Sequence, residues 1–197
     1  MKKNFIYTLL FLICSFSFLN AQTADDKKQI SVAVIDILKG FQTKNADLIN
    51  PYIDKTYGVG VLFKSSGDIG FVLNEDVDFD MPLGYIQKAW NIRNQYPIQF
   101  DTAFEYDIKN KKWAKEGLSV QFNSNTINEY VNQFPDPDSI KDQNIFKINS
   151  NPKNVAFVTL AENSKEKALI NGFKFAMTKI GSKWFLTFID VTEYNAE

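Results

Sequence analysis

The sequence predicts an α+β fold, an N-terminal helix packed on a curved antiparallel sheet. Two observations carry that expectation. Near the start of the chain, Ile30, Val34, Ile37, Leu38 and Phe41 recur at helical spacing. In the last third, residues 154–161, 168–179 and 183–192 form three strand-like runs, and Gly181-Ser182 joins the last two as a two-residue hairpin turn with glycine first.

A leader precedes that domain. Lys2 and Lys3 stand before an apolar run over residues 5–19, which ends in Asn20-Ala21-Gln22. A basic start, a short apolar core and a small residue at the cut site predict a cleavable signal peptide over residues 1–21. Cleavage after Ala21 leaves residues 22–197 as a single α+β domain, periplasmic or secreted. The apolar run is shorter than the ~20 residues of a membrane-spanning helix. Cys14 follows Ile13, where a lipidation motif needs a small residue, so Cys14 reads as filler within the leader. No later stretch approaches spanning length, so no membrane span is expected after cleavage.

Composition then narrows the chemistry. Lys and Arg total 22 against 23 for Asp and Glu, with no basic patch, so nucleic acid is not an expected partner. The chain has no histidine, and its one cysteine is Cys14. Past the leader, that removes disulfides, thiol nucleophiles, imidazole and thiolate metal sites, and every catalytic arrangement built on histidine. A general acid or base has to be Asp, Glu, Tyr or Lys. No metal and no cofactor is expected. The 18 Phe, 8 Tyr and 3 Trp predict an aromatic core, with stacking on a sugar or another flat ligand as the functional alternative.

The remaining elements follow in order. The first helix spans residues 23–43, capped by Thr23 or Asp25, and Gly40 with residues 43–45 weakens its end. A short turn over 46–50 stops at Pro51. Residues 57–64 read as a strand whose Gly58 and Gly60 thin one face. Because strand, not helix, continues after them, they suit the close approach of another element rather than a phosphate. Residues 65–68 are a loop, 82–94 a helix, 103–122 a hairpin, and 126–134 a helix ended by Pro135 and Pro137.

The closing hairpin also predicts a register. It sets Lys179 opposite Trp184, Met177 opposite Leu186, Phe175 opposite Phe188 and Phe173 opposite Asp190. Phe175, Met177, Leu186 and Phe188 then share one face as a candidate binding surface, with Asp190 at its end. A carboxylate on such a face has a raised pKa and can act as a base, which makes Asp190 the candidate catalytic residue. A bulge would turn it to the other side. Asp76, Asp78 and Asp80 lie in an acidic stretch that lacks the glycine and closing glutamate of a calcium loop, and the stretch of Asp136, Asp138 and Asp142 fails because Ile140 takes a ligand position. They read as solvated loops.

Three features resemble the NTF2-like (SnoaL and ketosteroid-isomerase-like) superfamily. They are the first helix running into Gln42-Thr43-Lys44-Asn45-Ala46-Asp47-Leu48-Ile49, the strand over 57–64, and the ending Ile180-Gly181-Ser182-Lys183-Trp184-Phe185-Leu186-Thr187-Phe188-Ile189-Asp190. The resemblance implies a curved sheet wrapped around helices and enclosing a conical pocket. Cystatin-like folds share the helix-on-sheet plan. With no catalytic or metal motif in view, the leading expectation is a non-catalytic binding or accessory protein of the cell envelope, whose partner is an unknown small molecule or envelope protein. The alternative is a small-molecule enzyme, isomerase- or dehydratase-like, using a pocket carboxylate.

Overall fold

The computed structural model describes residues 23–65, 67–80, 95–107, 109–110, 112–163 and 172–192. The expected leader, the expected helix over 82–94 and the first part of the 168–179 run lie outside them.

Helix α1 spans Ala24–Thr43. Thr23 caps it, and the cap is reciprocal: the Thr23 side chain accepts from the Asp26 amide while the Asp26 side chain takes the Thr23 amide. The helix ends at Lys44, whose φ of 52° turns the chain out of the helical path. Its buried stripe carries Ile30, Val34, Ile37, Leu38 and Phe41, as the spacing predicts, with Ala33 beside them.

The main sheet has seven strands. In chain order these are β1 (Val59–Ser65), β2 (Asp68–Asn74), β3 (Ile98–Phe100), β6 (Gly117–Phe122), β7 (Val155–Ala161), β8 (Phe173–Ile180) and β9 (Lys183–Asp190). A separate hairpin pairs β4 (Tyr106–Asp107) with β5 (Lys112–Trp113). The spatial order is β2-β1-β9-β8-β7-β6-β3. It is largely antiparallel, and β1 with β9 and β3 with β6 are its parallel pairs. The expected hairpin over 103–122 therefore resolves into two parts, the small β4–β5 hairpin and β6, which belongs to the main sheet.

Helices cover both faces of the sheet. On one face α1 packs against Val61, Val120, Val158, Phe175, Met177, Leu186 and Ile189. On the other lie three short helices, α2 (Thr126–Val131), α3 (Pro137–Lys141) and α4 (Asn144–Asn149). Ile127, Val131, Ile145 and Phe146 from this second layer close over Leu62, Phe157, Ala176 and Phe188. A sheet buried on both sides needs apolar residues at consecutive positions, and β7 and β9 supply them. Among the described residues no helix is long and apolar enough to cross a membrane.

Candidate functional site

The decisive local feature is a bulge in β9. From the turn inward, Ile180 pairs with Lys183, Lys179 with Trp184, Thr178 with Phe185 and Met177 with Leu186, as the two-residue turn demands. The next pair is Ala176 with Phe188, so Thr187 is an extra residue. Beyond it Phe175 meets Ile189 and Lys174 meets Asp190, in place of the expected Phe175–Phe188 and Phe173–Asp190 pairs. The candidate face divides accordingly. Phe175, Met177 and Leu186 point to α1, while Phe188 packs on the opposite side with Ile145 and Phe146. A single slip inverts every side chain after it, and a strand apolar on both faces gives no pattern from which to foresee one.

Asp190 follows Phe188 onto the face of the short helices and is 3% exposed. Its carboxylate is fully engaged. Oδ2 accepts the Tyr130 hydroxyl at 2.5 Å, and Oδ1 accepts the amide of Thr192 at 3.0 Å and its hydroxyl at 2.7 Å. Helix α2 supplies Tyr130, so this carboxylate ties α2 to the end of β9. Thr187, turned inward by the bulge, enters a second buried group. Thr178 donates to the Asn149 side-chain oxygen at 2.5 Å, Thr187 lies 2.9 Å from Thr178, and the Asn149 amide donates to the Ile145 carbonyl. This group fastens α4 to the central hairpin.

A third polar cluster lies on the α1 side and went unnoticed in the sequence. Asp26 Oδ1 accepts the Lys179 ammonium at 2.7 Å and the Trp184 indole N–H at 2.8 Å, and Oδ2 accepts the Thr23 hydroxyl at 3.0 Å. Burial alone would push the Asp26 carboxyl up. Hydrogen bonds from Lys179, Trp184 and Thr23, with the Lys179 charge, outweigh it and hold the carboxyl below the usual aspartate range. The Thr23-x-x-Asp26 spacing was the available signal for the cap, and the expected Lys179–Trp184 pair was the signal for its partners.

The glycines act as spacers. A Cβ on Gly60 would stand 2.5 Å from the Phe188 ring, so the thinned face of β1 admits that ring, with Ile145 next to it. Gly58 has a φ of 68° and precedes the strand. The acidic stretches serve local turns: Asp78 accepts from the Asp80 amide, and Asp136 caps α3 through the Ser139 amide. Among the described residues, no group of three or more His, Cys, Asp and Glu is placed to hold a metal ion. Comparison with family models, curated proteins and solved structures finds no match to this chain.

Proposed function

We propose that the protein is a non-catalytic binding or accessory domain of the cell envelope, periplasmic or secreted after removal of residues 1–21, with a fold of NTF2-like or cystatin-like kind. The observation that carries this reading is the state of Asp190. A general base needs a lone pair aimed at its substrate. Both oxygens of Asp190 instead receive fixed donors from Tyr130 and Thr192, which is the arrangement of a structural tie. The helix on a largely antiparallel sheet and the closing hairpin at its centre support the fold assignment.

The test uses protein exported by its native host and purified with whatever it holds. Asp190→Asn should lose about 1–3 kcal/mol of stability, the cost of disturbing a buried hydrogen-bonded group, and should keep any co-purifying molecule at the parent's stoichiometry. A variant that melts like the parent, yet no longer binds or converts a molecule the parent does, would establish the enzyme reading instead.

A further inference from the structure

One edge of the main sheet lacks the guards that keep strands from pairing with other molecules. Sheet edges are protected by lysines, prolines, bulges or short length. Among the described residues no strand lies beyond β2, and the opposite edge is the three-residue β3. Strand β2 pairs with β1 over seven consecutive positions without a bulge. Its run Ile69-Gly70-Phe71-Val72-Leu73-Asn74 carries no charge and no proline.

The hydrogen bond from the Val191 amide to the Leu62 carbonyl fixes which backbone groups this edge presents. It aims the Leu62 backbone at β9, so Leu62 and its β2 partner Phe71 form a pair without hydrogen bonds between them. Phe71, and with it Ile69 and Leu73, therefore turn N–H and C=O outward, where no described group bonds them. The side chains of these three share one face. Ile69 is buried, and Phe71 packs edge-on against Phe134 and Phe146. Leu73 is 50% exposed, one of three large apolar side chains so exposed among the described residues. At the end of β2, the Asn74 side-chain nitrogen is buried without a hydrogen-bond partner.

We infer that β2 pairs antiparallel with β2 of a second copy of this chain, about a two-fold axis at Phe71. The strand fits itself in that register. Phe71 meets Phe71 and Ile69 meets the second copy's Leu73, so all three residues with outward backbone groups find partners of the same kind. The exposed Leu73 side chain gains an apolar neighbour. Gly70 meets Val72, which leaves room for the larger side chain. Asp68, which is exposed, meets the second copy's Asn74. That pair is of the closer kind, about 4.5 Å between Cα atoms. Asn74 is only partly buried, so its carboxamide can turn its N–H to the opposite carboxylate, and the contact forms twice. No like charges face each other along the run. The two-fold axis uses up both β2 edges, so assembly stops at the dimer.

Sedimentation equilibrium of the exported chain from about 1 μM to about 1 mM tests this and should show a reversible dimer. Amide exchange read by NMR over the same range should slow at Ile69, Phe71 and Leu73 as concentration rises. Leu73→Lys sets a guard on the edge and should weaken the dimer at least about tenfold, with the melting temperature of the dilute protein within a few degrees of the parent. Asp68→Lys, also at an exposed position, should weaken it several-fold and keeps the test open if the first variant misfolds. A monomer at every concentration overturns the inference. So does a dimer that both variants leave intact while those three amides exchange as they do in dilute solution. A different co-purifying protein that slows those amides in place of a second copy overturns the choice of occupant.

Discussion

Asp26 shows how one carboxylate can lend a fold its acid sensitivity. Its folded pKa lies below the unfolded value near 3.9. The stabilisation is therefore complete above that value and is lost as pH falls through the folded pKa. Asp26→Asn should cost about 2 kcal/mol at neutral pH and flatten the fall in urea midpoint as pH drops below the ordinary aspartate value near 3.9. Parallel curves for variant and parent would assign the acid response elsewhere. Tyr52 behaves in the opposite sense. Burial first, then the hydrogen bond at 2.6 Å to Asp36 and its charge, push the phenol up to about 12. Its contribution is present below the ordinary tyrosine value near 10 and disappears as pH climbs from there to about 12. Phenolate absorbance should show a late-titrating tyrosine that is missing in Tyr52→Phe; a parent whose tyrosines all titrate together near the ordinary value would refute it.

Among the elements, β1 and β9 depend on each other through a missing side chain. Gly60→Ala drives a methyl group into the Phe188 ring, so overpacking of about 1–3 kcal/mol is expected in chemical unfolding. A neutral result would mean that the ring can move away. The sequence made this contact half legible: a thinned strand face announced a close approach at Gly60 but not the partner, and Gly58, expected to share that face, precedes the strand. Helix α1 was readable to within a residue because its cap and its apolar stripe are local signals. The turn at Gly181-Ser182 set the first four pairs of the last hairpin correctly. What failed was the register past Thr187, since Leu186, Phe188 and Ile189 are all buried and a strand covered on both faces has no alternation to break. The layer of α2, α3 and α4 was only partly foreseen, because helices of five or six residues show too few turns for periodicity to register. Strand β2 was missed beside its acidic neighbour stretch. Asp190 was legible as a buried carboxylate, while its partner Tyr130, 60 residues earlier, was not.

Across the whole molecule, the sheet lies between two helical layers. The proposed export sets a further expectation. Mass spectrometry of the exported protein should find Gln22 as its first residue, and Ala21→Arg should leave the precursor uncut; an unprocessed parent chain outside the cytoplasm would contradict the leader reading. The clamp on Asp26 bears on timing as well. It joins the first turn of α1 to Trp184, 158 positions later. A chain that emerges amino end first must therefore carry the apolar stripe of α1 uncovered until its final hairpin is out. Completion of the chain through Trp184, rather than formation of any one helix, becomes the moment at which this clamp can close, and an arrest short of Trp184 would leave the stripe of α1 without that cover.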